Sequence, residues 1–139
     1  MEVLGAATTV ITIIELTAKL GSLCLDYGRA VKNSAAEIGQ LQEEIEFLKD
    51  IAERVHDLFK KPEGQELAKS KSLDQVLKQS DTKLQALVLK LQPKSTKKWR
   101  IPFTRELQWP FQREEVKGFI RDIQRYNETI SQILQVYQT

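Results

Sequence analysis

The residues of this chain with types suited to chemistry are few and far apart. One histidine, His56, and one cysteine, Cys24, are its whole stock of imidazole and thiol. His56 follows Val55 on the flank of a helical pattern and reads as a solvated or half-buried surface side chain. Cys24 lies between Leu23 and Leu25 and reads as a small buried hydrophobe. A single cysteine precludes an internal disulfide and fits a reducing compartment. Glu43 and Glu46 share a helical face beside Glu44, which superficially suggests paired carboxylates for acid–base work. A solvated acidic face is the simpler reading. No Cys/His spacing suits zinc, and the six glycines form neither a phosphate loop nor a dinucleotide fingerprint. The expectation is a non-enzyme with no catalytic, cofactor-binding or metal-binding residue.

Binding chemistry is better represented. Lys97, Lys98 and Arg100 flank Trp99 in a stretch, residues 94–111, that holds five bases against Glu106. Cations beside an aromatic suit anionic lipid headgroups at a membrane interface, each base contributing on the order of 1 kcal/mol. A single-stranded nucleic-acid platform uses the same ingredients, and so does a solvated loop with Trp99 or Trp109 tucked onto the fold. The net charge of +2 is too small for a global affinity, so any electrostatic partner is engaged locally. Anionic lipids are the expected partner and nucleic acid is not.

The other candidate is the opening segment. From Val3 to Ile14 there is no charge, and Thr8, Thr12, Glu15, Lys19, Ser22 and Asp26 recur at helical spacing as one narrow polar strip. Such a helix is expected at the buried centre of a bundle, or in a membrane, or in each at different times. Twelve uncharged residues fall short of the roughly 20 a bilayer needs. Extension to Leu25 immerses Glu15 and Lys19 at a few kcal/mol each. Glu2 stands where a secretory leader carries positive charge. A soluble resting state is therefore expected.

Four helices must position these features. The first runs from about Val3 to near Val31. The second opens at Ser34, with Glu37 at capping-box spacing, and buries Ile38, Leu41, Ile45, Leu48, Ala52, Val55 and Phe59, widened by Phe47, Ile51 and Leu58. Pro62 and Gly64 stop it. Residues 62–71 suggest a loop with a short helical turn. The third opens at Ser72, again with capping-box spacing, and carries Leu73, Leu77, Leu84, Leu87 and Leu91 to Pro93, with Ser80 as the one polar interruption. The fourth starts near Phe111 or Gln112 and buries Val116, Phe119, Ile120, Ile123, Tyr126, Ile130, Ile133, Leu134 and Tyr137. Its pattern reaches Thr139 without a cap, as an excised domain's does. The expected architecture is an all-α, four-helix bundle in one domain spanning 1–139, with a short extra helix allowed.

Two stretches together carry a resemblance. Leu107-Gln108-Trp109-Pro110-Phe111 leads into Glu114-Glu115-Val116, Ile120, Ile123 and Tyr126. Upstream, Asp26-Tyr27, Val31-Lys32-Asn33, Glu37-Ile38, Leu41 and Glu44 follow an opening Leu4-Gly5-Ala6-Ala7. This pattern resembles the HeLo-like domain, the N-terminal domain of many fungal STAND (NLR-like) proteins. That family is related to the HeLo domain of heterokaryon-incompatibility proteins and to the four-helix bundle of mixed-lineage kinase domain-like pseudokinases.

The resemblance implies a cell-death effector of fungal innate immunity, cytoplasmic at rest. Self-association driven by a downstream nucleotide-binding or amyloid signalling module sends such domains to the plasma membrane, which they permeabilise. By position, the membrane-active segment comprises Val3, Leu4, Gly5, Ala6, Ala7, Val10, Ile11, Ile13 and Ile14, with Lys97, Lys98, Trp99 and Arg100 as headgroup contacts. The chain departs from the glycine zipper common there, since Thr9 stands four residues after Gly5. The alternative expectation is a helical oligomerisation or partner-docking module without membrane activity.

Overall fold

A computed structural model describes residues 2–31, 34–92 and 109–138, with side chains from Gly5 to Tyr137. Its helices are α1 (Glu2–Ala30), α2 (Ala35–Phe59), α3 (Gln65–Ala68), α4 (Lys71–Leu91) and α5 (Arg113–Gln138), with a 3-10 turn at Pro62–Gly64 before α3. No strand occurs among the described residues. The four long helices are those the periodicity anticipates, and the stretch after α2 supplies the short extra one.

The long helices form a square. α1 packs on α2 and α4, and α5 packs on α2 and α4, which leaves α1 diagonal to α5 and α2 diagonal to α4. Cross-links set the directions. Arg113 Nε donates to Glu37 at 2.9 Å and Gln124 Nε2 to Glu44 at 3.1 Å, so α2 and α5 run parallel. Lys83 meets Asp122 at 2.9 Å and Lys90 meets Glu115 at 3.9 Å, so α4 and α5 run antiparallel. The α2–α4 connection must therefore cross the square diagonally, and the 3-10 turn and α3 make that crossing, with Leu67 and Ala68 buried.

Each helix supplies a seam at three-four spacing. On α1 it is Ala6, Val10, Ile13, Thr17, Leu20, Cys24 and Tyr27, all buried. The hydroxyl of Thr17 donates to its own helix, at Ile13 O (2.8 Å) and Ile14 O (2.9 Å), and Ser80 does the same to Val76 O at 2.8 Å. That satisfies two polar groups in an apolar interior without a partner helix. Asn127 is the third buried polar residue, and its amide donates to the backbone and side chain of Glu44 at 3.2 and 3.1 Å.

Some local expectations need correction. Ser34 precedes α2 but makes no capping hydrogen bond. α4 is capped by Ser70, whose Oγ accepts from Leu73 N at 3.1 Å, so Ser72 lies inside the helix. Phe47 and Tyr137, expected in the core, are 50% and 42% exposed. α5 begins at Arg113, beside the expected start at Gln112, whose backbone N–H donates to the Glu115 carboxylate at 3.0 Å.

Candidate functional site

α1 stands at a corner of the bundle, not at its centre, and this governs the fate of its apolar residues. Two neighbouring helices can cover only part of its circumference. The seam uses Ala6, Val10 and Ile13 from the opening segment. Ala7 and Ile14 are half-buried, Gly5 is exposed, and Ile11 keeps 43% of its surface in solvent. Farther along, Ala18 is exposed and Leu25 is 44% exposed. The side chains of Val3 and Leu4 lie outside the described residues. Of the polar strip, Thr8, Glu15, Lys19 and Ser22 are exposed, and Thr12 and Asp26 are half-buried. Between strip and seam, on the α2 side, runs an apolar band in which Ile11, Ala18 and Leu25 are exposed and Ala7 and Ile14 half-buried.

The helix as a whole is lipophilic. Gly5–Ala30, 26 residues, has a mean hydropathy of 1.4 in its most apolar window, of which 28% is buried. By length and composition it suffices to cross a bilayer, a property it shares with core helices of soluble proteins. Of its large apolar side chains, Ile11 and Leu25 are the exposed ones among the described residues, while Ile14, Leu16 and Leu23 pack partly buried against the core.

Lys97, Lys98, Trp99 and Arg100 lie outside the described residues, but the two ends of their segment do not. Gln92 follows α4, and Trp109 precedes α5. Both ends sit where α1 finishes. The rings of Tyr27 and Trp109 meet edge-on at 5.3 Å, Trp109 and Phe111 at 5.2 Å, and Phe111 and Phe119 at 5.0 Å. The Tyr27 hydroxyl donates to Leu91 O at 2.7 Å. Burial pushes the Tyr27 hydroxyl pKa above its ordinary value. This aromatic cluster, built from residues of the Trp-Pro-Phe motif, closes one end of the bundle. It brings the link from α1 to α2 and the attachment points of the basic segment to that same end. The start of α1 lies at the opposite end, about 40 Å away by helix rise.

The remaining chemistry-capable residues are placed simply. Cys24 is fully buried, and burial with the nearby Glu46 carboxylate pushes its thiol up to about 12. It is an unreactive hydrophobe at neutral pH. His56 is half-buried on α2. Among the described residues no three of His, Cys, Asp and Glu gather as a metal site would require. No protein-family model, curated protein or solved structure matches the chain.

Proposed function

We propose that this chain is a non-enzymatic effector domain that acts on membranes, in the manner its HeLo-like resemblance implies. On self-association, α1 leaves its corner and enters an anionic bilayer. The observation that carries this reading is the uncovered band of α1, Ile11 and Leu25 above all, on a helix with more apolar surface than its two neighbours cover.

The geometry suits such a departure. The hinge is the link after Val31, at the aromatic end, which is also where the segment bearing Lys97, Lys98, Trp99 and Arg100 attaches. With that end at the headgroups, the bases meet anionic lipid while α1 swings into the hydrocarbon. Glu15 and Lys19 then enter with it at a few kcal/mol each. Bilayer contact for the seam residues replaces core contact at a similar roughly 0.8 kcal/mol per methylene, so a modest bias suffices to shift the population.

The test is dye release from vesicles containing anionic lipid, with the chain fused to an oligomerising module. Ile11→Glu places a charge on the exposed band, where the bundle tolerates it and hydrocarbon does not. Leakage by the wild-type fusion and its loss in Ile11→Glu is the expected result. Equal leakage from both overturns the reading, and a fusion that never binds vesicles leaves a docking module as the better description.

A further inference from the structure

The α4–α5 seam is the lightest of the four that hold the square together. Its outer side is a groove of about 430 Å³ bordered by Lys78, Lys83, Phe119 and Tyr126, and it continues along the seam to Val76 and Arg125. The floor is aromatic and aliphatic, the rim is basic, and no acid lines it. Lys83 lies 5.3 Å over the Phe119 ring. Two acids behind the rim pair with these bases: Asp74 with Lys78 at 3.1 Å, and Asp122 with Lys83 and Arg125 at 2.9 and 3.4 Å. The Lys78 and Arg125 side chains are well exposed, at 69% and 64%, and exposed pairs of this kind exchange readily for a new partner.

The complementary surface is the outward face of α2. Glu43, Glu46, Asp50, Glu53 and Asp57 recur there at three-four spacing, all exposed, with the bases Lys49, Arg54 and Lys60 at their flanks. Among the described residues none of Glu43, Asp50, Glu53 and Asp57 is in a salt bridge. A row of like charges at this spacing works against its own helix, which a cationic partner would relieve. Half-exposed Phe47 lies beside the row, an aromatic of the kind that anchors interfaces. From Glu43 to Asp57 the row spans four turns, about 22 Å, and the groove runs the same distance along α4 from Ser72 to Ala86.

Row and groove cannot meet within one molecule, because α2 and α4 are diagonal and the two surfaces point away from each other. The chain's own basic stretch, Lys94 to Arg105, carries the same sign of charge as the groove's rim and is therefore a poor electrostatic match for it. We infer that the groove's occupant is the acidic face of α2 from a second copy of this chain. The contact is heterologous, each copy giving one surface and receiving on another, so it propagates as a ring or an open chain instead of closing at a dimer. One helix face in one groove is small against the roughly 1,200 Å² of a stable interface, so assembly awaits high local concentration. The inference deepens the oligomerising reading above and gives it its contact surfaces.

The experiment is sedimentation velocity on the 139-residue chain from micromolar to millimolar concentration, at low and high salt. Wild type is expected to associate reversibly, and less so at high salt. Two exposed-site variants, E43K/D50K on the row and K78E/Q79E on the groove, are each expected to weaken association at least about tenfold while keeping wild-type circular dichroism. An equimolar mixture is expected to associate again, because acidic row meets basic groove and the reversed row meets the reversed groove. A wild type that stays monomeric throughout, a loss confined to one variant, or a mixture that stays apart overturns the inference. Association as described without vesicle leakage would sink the membrane reading alone. Leakage by forced oligomers with both variants associating as wild type would sink this one alone.

Discussion

The Tyr27 hydroxyl donates to the Leu91 carbonyl oxygen across 2.7 Å, joining the last turn of α1 to the last turn of α4. Helix ends leave carbonyls without intrahelical partners, and one buried at such an end needs a donor. Tyr27 supplies it while its ring packs on Trp109. The bond thus ties the end of α1 to the base of the segment carrying Lys97 to Arg100.

Tyr27→Phe keeps the ring and removes the donor. It is expected to destabilise the fold by about 1–3 kcal/mol, because the buried Leu91 carbonyl then goes unpaired. Urea unfolding followed by circular dichroism measures the loss. Hydrogen exchange is expected to rise first in the last turns of α1 and α4. A change below about 0.5 kcal/mol would mean that water replaces the hydroxyl there.

Ile11 and Ile13 differ by two positions and are expected to differ sharply in consequence. Ile13 is fully buried in the seam, whereas Ile11 lies 43% exposed on the band. Ile13→Ala should cost about 2–5 kcal/mol through lost burial and a residual cavity. Ile11→Ala should cost less than about 1 kcal/mol. Denaturation midpoints of the two variants check the ordering, and comparable losses would show that the band is covered.

Gly64 occupies a position where no side chain fits. A Cβ there would run into the backbone carbonyl of Leu58, which cannot yield as a flexible side chain can. Gly64→Ala is expected to destabilise by roughly 1–3 kcal/mol or more, through displacement of the 3-10 turn from the end of α2. Its backbone φ is −84°, so the penalty is steric crowding and not a conformational requirement for glycine. A melting temperature equal to wild type would show that the crossing shifts freely.

How much of this was readable in advance depends on whether a residue's role is local or shared. Ile38, Leu41, Ile45 and Leu48, or Leu77, Leu84 and Leu87, announce their seams through spacing alone, and all are buried. Ser70 and Ser72 compete for one cap, and only the backbone chooses between them. Phe47, Ile51 and Leu58 all flank one seam, yet the fold buries Ile51 and leaves Phe47 half in solvent, because covering a flank depends on how closely the neighbouring helix sits. The same limit applies to α1. Its pattern specifies a helix with excess apolar surface, but periodicity does not say how many neighbours surround it. The groove between α4 and α5 left no trace in either helix's sequence, since it arises from their separation. Lys97 to Arg100 lie outside the described residues, and only the placement of Gln92 and Trp109 informs their position.

Cys24 provides a final prediction through pH. Burial, reinforced by Glu46, raises its thiol from the ordinary 9.0 to about 12 in the fold. Below about pH 9 the thiol is protonated whether the chain is folded or not, so its contribution to stability is fully present. Between about pH 9 and 12 the unfolded chain releases the proton while the fold withholds it, and stability falls as pH rises. Tyr27 and Tyr126, both shifted upward by burial, add to the fall in the same direction from about pH 10. Urea midpoints measured at about pH 8 and about pH 11 are therefore expected to drop for wild type. Cys24→Ala should start lower, having lost a buried side chain, and decline less steeply because one of the three ionisations is gone. In wild type at pH 8 the thiol should also resist polar disulfide reagents until urea unfolds the chain. Parallel declines for the two proteins, together with rapid labelling of folded wild type, would show that α1 opens from its corner in the resting domain far more often than its buried seam implies.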